Sequence, residues 1–188
     1  REAYDIEYNF PFCFKELEGV HARGDYDLSV HGQASGQDLN YLDPADNKKY
    51  IPYVVETSAG VGRTFLAVLS ENYREEKIDD DVRIVLSLPP KLAPVKIAVF
   101  PLLKNKPELV GKAREIFDSL KADWHCEFDD NGNIGKRYRR QDEIGTPFCL
   151  TVDFDTLENG EVTVRERDSM SQIKIKIENI KKYFQENI

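Results

Sequence analysis

Residues 146–168, TPFCLTVDFDTLENGEVTVRERD, decide the fold that the sequence predicts. Two segments rich in β-branched and aromatic residues, TPFCLTVDFD and GEVTVRERD, are typical of strands. The link between them is too short for the crossover of a dozen or more residues that parallel strands need. We therefore expect the two strands to form a direct antiparallel hairpin.

A strand–helix–strand order precedes this hairpin. Residues 95–102, VKIAVFPL, are typical of a buried strand, and residues 107–122 of a helix with Pro107 in its first turn. Residues 125–130 predict a short strand, which completes a βαβ unit. Residues 91–188 are therefore predicted to form an α/β domain with a mixed β-sheet flanked by helices.

Three more elements complete this domain in the prediction. Residues 133–145 indicate a loop that feeds a short helix, and residues 172–177 a further strand. The chain closes on residues 178–188, where Ile180, Tyr183 and Phe184 share one helical face.

The first part of the chain has a different order. Residues 49–58 predict a strand buried on both faces, followed by the glycine turn AGVGR and by a helix over residues 64–77. Residues 83–88 predict another short strand. The proline-rich segment PPKLAP, residues 89–94, cannot continue a helix or a central strand, so we expect two domains, 1–90 and 91–188.

Composition restricts the class of protein. The 188 residues are 40% hydrophobic, enough for one substantial core or two small ones, and the longest apolar run is far shorter than the roughly 20 residues that span a bilayer.

The chain starts at Arg1 without a signal peptide, so we expect it to be cut from a longer protein. The formal net charge of −8 argues by itself against a nucleic-acid partner, although an average can hide basic patches.

Cysteines and histidines give no convincing site. The three cysteines lack disulfide or zinc-ligand patterns, and we expect reduced thiols in a cytoplasmic protein. The three histidines are too scattered for a convincing metal site.

The glycine turn carries the first candidate site. Glu56 and Ser58 are two residues apart on a predicted strand, so both point to one side and could hold a small polar ligand such as an amine. Gly60 and Gly62 permit close backbone approach, and Arg63 at the head of the helix suits a phosphate. A purely structural strand-to-helix turn is the alternative.

The second candidate is FKELEGVHARGDYDL, residues 14–28. Its charged residues are Glu16, Glu18, Arg23, Asp25 and Asp27. The four carboxylates among them could hold Mg²⁺ bound to nucleotide phosphates, because that ion prefers oxygen ligands. The alternative is a salt-bridged surface strand and turn.

The third candidate is the basic segment of residues 136–140. Four cations, Lys136, Arg137, Arg139 and Arg140, surround Tyr138, a combination that suits phosphate contact with base stacking. A solvated helix face is the alternative. For the mixed-charge segment VRERDSM, residues 164–170, the structural interpretation is preferred.

These segments, in this order, resemble the C-terminal part of the dimeric, class IIa glycyl-tRNA synthetase family over nearly the whole chain. VVETSAGVGRTFLAVL is similar to the class II motif 3, and KELEGVHARGDYDL to the preceding part of the catalytic sheet. Residues 92–109 and 132–170 are similar to the anticodon-binding domain. The resemblance implies a mainly antiparallel catalytic portion in residues 1–90 and an anticodon-binding domain in residues 91–188.

The resemblance also implies roles for individual residues. It assigns catalytic roles to Arg63 and Glu16, with Glu16 as the carboxylate for ATP-bound Mg²⁺. Glycine would be bound by Glu56, Thr57, Ser58, Ala59, Gly60 and Arg23. ATP would be bound by Glu16, Leu17, Gly60, Val61, Gly62 and Arg63. The tRNA would be bound by Lys136, Arg137, Tyr138, Arg139 and Arg140.

The implied activity is glycine–tRNA ligation, with tRNA(Gly), glycine and ATP as partners, no membrane, and a homodimeric parent enzyme. Thr57 stands where the family usually has proline, and Gly62 where it has an acidic residue. Motifs 1 and 2 would lie upstream of Arg1, so we expect the chain alone to be inactive. A non-catalytic tRNA-binding accessory module and an unrelated nucleotide-binding α/β protein are the alternatives.

Overall fold

A computed structural model describes residues 2–188. The chain divides into two compact units, one ending at Ser70 (unit 1) and one from Glu71 to Ile188 (unit 2). No helix within residues 2–188 is long and apolar enough to cross a membrane.

Unit 1 is built on three antiparallel strands. In chain order its elements are β1 (Ala3–Phe10), β2 (Cys13–Gly24), α1 (Tyr26–Ser35), β3 (Tyr41–Leu42), β4 (Lys49–Tyr50), β5 (Val54–Ala59) and α2 (Val61–Asn72). The sheet order is β1-β2-β5, so the long β2 is central and pairs with both neighbours. The antiparallel arrangement implied by the resemblance is confirmed.

Two predictions in this part are wrong. The segment before the glycine turn is not buried on both faces, because β5 is an edge strand and Val55 is 70% exposed. The predicted helix over 64–77 ends at Asn72, and the residues after it form a strand.

Unit 2 contains the mixed sheet. Its elements are β6 (Tyr73–Ile78), β7 (Asp81–Leu86), β8 (Ile97–Pro101), α3 (Pro107–Leu120), β9 (Cys126–Phe128), α4 (Ile134–Ile144), β10 (Phe148–Val152), α5 (Phe154–Asn159), β11 (Glu161–Glu166), β12 (Gln172–Lys176), a 3₁₀ turn (Ile177–Asn179) and α6 (Ile180–Asn187). The five-stranded sheet has the order β12-β11-β10-β8-β9. β8 pairs in parallel with β9 and β10, whereas β11 pairs antiparallel with β10 and β12. This mixed sheet confirms the predicted α/β fold class.

The core of unit 2 lies between this sheet and its helices. Every residue of β8 and β10 is buried, as expected for central strands covered on both faces. α3 buries Leu109, Ala113, Ile116 and Leu120, a helical spacing that places one apolar stripe on the sheet. α6 adds Ile180 and Phe184 to the same cluster.

The link between β10 and β11 differs from the predicted direct hairpin. The strands are antiparallel, but α5 lies between them. Asp153 accepts a hydrogen bond from the Thr156 amide and the Thr156 hydroxyl accepts one from the Asp153 amide, a capping box that starts this helix. Gly160, in the left-handed region with φ 68°, ends it.

Unit 2 begins earlier than the domain boundary predicted after residue 90. The hairpin of β6 and β7 belongs to it, because β7 packs against α4 and buries Arg83 and Val85.

Candidate functional site

The first contact of the candidate site joins the start of α2 to β2. Nη1 of Arg63 donates to the backbone oxygen of Glu16 at 2.7 Å and lies 3.3 Å from the Glu16 carboxylate. Both side chains are about half exposed, with relative accessibilities of 50% and 48%. The structure thus brings together the two residues predicted as catalytic, which are far apart in the sequence, and leaves both accessible to a ligand.

A second contact joins the end of β2 to β5. Nε of Arg23 lies 3.3 Å from the carboxylate of Glu56 and 2.8 Å from that of Asp27, and its Nη2 donates to Asp27 at 3.1 Å. The hydrogen bond and charge of Asp27, followed by the charge of Glu56, raise the pKa of Arg23. Arg23 is therefore held beside Glu56, its predicted companion in glycine binding.

Two irregularities in β2 fall at predicted contact residues. The pairing of β2 with β1 skips Leu17, and its pairing with β5 skips Arg23. Each is the extra residue of a β-bulge, a device that re-aims a side chain and is frequent beside active sites. Leu17 is half-buried, whereas the Arg23 side chain is 42% exposed.

The remaining predicted glycine-site residues lie on or just after β5. Glu56 faces His21 across the sheet, Thr57 faces Val20, and Ser58 faces Gly19. Glu56 and Ser58 are alternate residues of one strand, so they share a face, whereas Thr57 points to the other. Ala59 ends the strand opposite Glu18.

The glycine turn leads directly into α2. The backbone oxygen of Gly60 accepts hydrogen bonds from the amide and hydroxyl of Thr64, so Gly60 lies at the helix start. Val61 is 86% exposed there, and a Cβ added to Gly62 would meet no heavy atom within 4 Å. The helix N-terminus is thus open to an anion, which its amides and dipole favour.

The donor set fits one Mg²⁺ only in company with a phosphate ligand. No group of three or more His, Cys, Asp or Glu side chains able to hold a metal occurs within residues 2–188. Glu16 nevertheless has Glu7 opposite it on β1, and both are exposed. Mg²⁺ commonly binds one or two carboxylates and takes its other ligands from substrate phosphates and water.

The basic segment lies on α4 in unit 2, and its members have different environments. Asn133 caps the helix by accepting a hydrogen bond from the Lys136 amide, and Lys136 is exposed. Arg139 is partly exposed, with a long contact of 3.7 Å to Asp81. Arg140 donates to Asp129 and to the backbone oxygen of Asn131, yet 42% of its side chain is exposed.

Arg137 has the opposite environment. It is 1% exposed, and its guanidinium donates to the backbone oxygens of Pro101, Asp130 and Gly132. Burial lowers its pKa. This geometry argues against the predicted tRNA contact, because every side-chain nitrogen is engaged with the loop before α4 or with β8.

Tyr138 is also largely committed to packing. Its ring lies edge-on to Phe100 with centroids 5.5 Å apart, and the guanidinium of Arg165 lies 4.9 Å from its centroid. Its hydroxyl hydrogen-bonds that of Thr151 at 2.7 Å, and burial raises its pKa. Stacking of a free base on this ring would need one of these neighbours to move.

The segment VRERDSM has the structural role that its sequence favours. Arg165 donates to both oxygens of Asp142, and Arg167 donates to the backbone oxygens of Gly145 and Leu88. Both arginines are nearly inaccessible.

Sequence reasoning missed two neighbours of the site. It groups Asp27 with the magnesium candidates, but the Asp27 carboxylate holds Arg23. It gives His21 no role, although this histidine lies directly opposite Glu56. The opposite charges of Arg23 and Asp27, which are four residues apart where β2 passes into α1, are the signal that could have found the first.

Comparison with known proteins supplies an independent test of the resemblance. Residues 96–187 match the family model described as Anticodon binding domain. The chain is 54% identical over 185 residues to "Glycine--tRNA ligase" of Clostridium acetobutylicum, covering 98% of this chain and 39% of that protein. It is 53% identical over 191 residues to the protein of the same name from Borreliella afzelii, covering 100% and 43%.

A third relative, "Glycine--tRNA ligase" of Chlorobaculum tepidum, is 55% identical over 173 residues, covering 92% of this chain and 37% of that protein. The predicted resemblance is confirmed by these matches. The chain spans about two fifths of the length of the curated relatives it matches.

Proposed function

We propose that the chain forms part of a glycine–tRNA ligase, because it is similar to proteins of that name over nearly its whole length and residues 96–187 match the family model of the anticodon-binding domain. Unit 1 supplies part of the glycine and ATP site, and unit 2 binds tRNA(Gly). The parent enzyme is a cytoplasmic homodimer of the class II type.

The observation that carries the proposal is the pair of contacts on β2. Arg63 meets Glu16 at one bulge of this strand, and Arg23 meets Glu56 at the other. Each pair combines a guanidinium, which suits a phosphate or carboxylate, with a carboxylate that suits an ammonium group or Mg²⁺. Glycine presents the carboxylate and the ammonium group, and ATP presents phosphates that bind Mg²⁺.

The reaction assigned to this site is adenylation followed by transfer. The glycine carboxylate attacks the α-phosphate of ATP, the bond to the β-phosphate breaks, and pyrophosphate leaves. The glycyl group then passes to the tRNA 3′ end and AMP leaves. Such chemistry needs positioning and charge neutralisation rather than a protein nucleophile.

The side chains of unit 1 have separate tasks in this scheme. Glu56 binds the glycine ammonium, with Arg23 beside it, and Ser58 crowds the α-carbon on the same face of β5. Leu17 and the turn from Gly60 to Arg63 contact ATP. Mg²⁺, held by Glu16 together with the phosphates, would neutralise charge on them.

In unit 2, the tRNA interface of the proposal is the exposed part of the basic segment. Lys136, Arg139 and Arg140 are accessible on α4, whereas Arg137 and Tyr138 support the loop and sheet behind them. Phosphate contacts by such cations supply affinity that falls with salt.

Glycine-dependent ATP–pyrophosphate exchange by the protein expressed from its complete open reading frame tests the proposal. Glu56→Gln should raise the KM for glycine tenfold or more, since a lost charged hydrogen bond costs about 1.5–3 kcal/mol. Asp46→Asn, an exposed carboxylate of the β3–β4 loop, is the matched control and should leave exchange unchanged. Tight tRNA binding without any exchange would favour the accessory module and refute the ligase.

A further inference from the structure

His21 lies on the central strand of the sheet, on the face that carries the residues proposed to bind the substrate glycine. In the sheet of unit 1, Ala3, His21 and Glu56 form one cross-strand row, and Asp5, Gly19 and Ser58 form the next. Directly opposite residues of antiparallel strands point to the same face, about 5 Å apart. The imidazole therefore lies on the same face as Glu56 and Ser58.

The imidazole leans from its own row toward Ser58, over Gly19. A Cβ placed on Gly19 would lie 2.7 Å from Cε1 of His21, closer than real Cβ atoms approach, and 3.4 Å from its Nδ1. Gly19 is itself buried. The ring thus takes the space that any other residue at position 19 would fill.

This placement leaves a polar atom without a partner. Nδ1 of His21 is buried and has no hydrogen-bond partner within residues 2–188. Leaving a buried polar atom unpaired is unfavourable, and such an atom in a native structure calls for an explanation, of which a functional role is one. The unpaired nitrogen belongs to a ring on the face that carries Glu56 and Ser58.

Space lies on the other side of the imidazole. Together with Ala3, Arg23 and Tyr26, His21 lines a cavity of about 390 Å³. The ring therefore stands between this cavity and Ser58. If the ring were absent, the space beside Glu56 would extend into the cavity.

On the basis of the proposed function, we propose that the His21 ring is a wall of the glycine pocket that excludes amino acids with a β-carbon, and that Gly19 makes room for the ring by lacking a side chain. Specificity against a larger substrate can come from a clash with a group in the pocket. The ring lies against the buried backbone at Gly19, on the face that carries Glu56 and Ser58. His21 is thus a specificity-determining residue that works beside Ser58.

The test compares glycine and alanine in ATP–pyrophosphate exchange, with the protein expressed from its complete open reading frame. His21→Ala should reduce the ratio of kcat/KM for glycine over alanine by about tenfold or more, within the 10–200-fold range of one methyl group. His21→Phe keeps the ring and should keep the ratio. His31→Ala, an exposed histidine of α1, is the control and should behave as wild type.

Two outcomes would overturn this assignment. One is an unchanged ratio in a folded His21→Ala protein. The other is retention of the ratio by His21→Gln but not by His21→Phe, which would assign a hydrogen-bonding role instead of a wall. A wild-type protein without glycine exchange would refute the ligase function itself, so the two failures are distinct.

A double-mutant cycle on the 188-residue chain tests the packing without activity. Gly19→Ala should lower the urea midpoint when His21 is present and have little effect in the His21→Ala background, because the clash needs the ring. Equal effects of Gly19→Ala in both backgrounds would contradict the proposed wall.

Discussion

Asp142→Asn is the substitution we expect to destabilise unit 2 most through charge. The Asp142 carboxylate is 1% exposed and accepts hydrogen bonds from two buried arginines. Nε of Arg83 donates at 2.8 Å, and Nη1 and Nη2 of Arg165 donate at 2.9 and 3.2 Å. Burial lowers the pKa of Arg83, but its hydrogen bonds and charge contacts with Asp142 and Glu76 produce a net rise.

The magnitude follows from what remains after the substitution. Asparagine keeps the shape of the side chain but removes the carboxylate that pairs with Arg165, whereas Arg83 retains its pair with Glu76. Removing one partner of a buried ion pair costs about 3–5 kcal/mol, because a charge stays buried without compensation. For a unit of this size the melting temperature should fall by on the order of 10–20 °C.

Denaturation followed by tryptophan fluorescence measures this destabilisation directly. Trp124 is the single tryptophan of the chain and packs against Phe184 in unit 2, so its emission reports on that unit. Asp118→Asn is the control, because its pair with Lys121 is exposed and worth at most about 1 kcal/mol. If Asp142→Asn cost no more than this control, our account of the network would be wrong.

Three further outcomes are expected. Replacing Arg139 and Arg140 by alanine should weaken tRNA binding. The slope of the logarithm of the association constant against the logarithm of the salt concentration should become less steep by about one for each phosphate that is no longer bound. An unchanged slope would mean that these side chains of α4 do not contact tRNA. A thiol reagent should modify exposed Cys13 in the folded chain but buried Cys149, whose pKa is raised by burial, only on unfolding, as mass spectrometry of labelled peptides would show. Burial raises the pKa of Asp168, but hydrogen bonds from Arg167 and Ser87 lower it, and the net result is a pKa below the ordinary value. The stabilisation of the fold by the ionised Asp168 carboxylate should be present at neutral pH and lost as the pH falls below about 4. The free energies of unfolding of Asp168→Asn and of the wild type, measured by urea titration, should therefore converge in acid.

The elements of unit 2 that the sequence predicted well are those with local signals. α3 begins at Pro107 and carries one apolar stripe, as its spacing indicates. α5 was missed because six residues are too few to show helical periodicity, although Asp153, Thr156 and Gly160 carry its start and stop signals. The exposure of β5 could not be read locally, since it depends on which strands lie beside it.

In the candidate site, too, only those features with a local sequence signal could be predicted. Glu56 and Ser58 could be placed on one face from their spacing, because the strand period is local. The contact of Glu16 with Arg63 depends on the pairing of β2 with β5 and was reached only through the resemblance. The bulges at Leu17 and Arg23 have no signature in the sequence.

Helical spacing could have divided the basic segment before the structure did. Lys136, Arg139 and Arg140 are three and four residues apart and share a helix face. Arg137 is four residues from Gln141, and both are buried. A run of cations on a helix should therefore be assigned face by face, because the buried face is held by backbone acceptors and is not available to a nucleic acid.

The net charge can now be reconciled with a nucleic-acid partner. The whole acidic excess lies in residues 1–90, whereas residues 91–188 contain equal numbers of acidic and basic residues. Within that balanced part, Asp142 is buried and Asp129 is nearly so, with 10% of its side chain exposed. The accessible charges of α4 are therefore enriched in cations. At physiological ionic strength charges are screened beyond about 8 Å, so a phosphate approaching α4 responds to Lys136, Arg139 and Arg140 rather than to distant carboxylates.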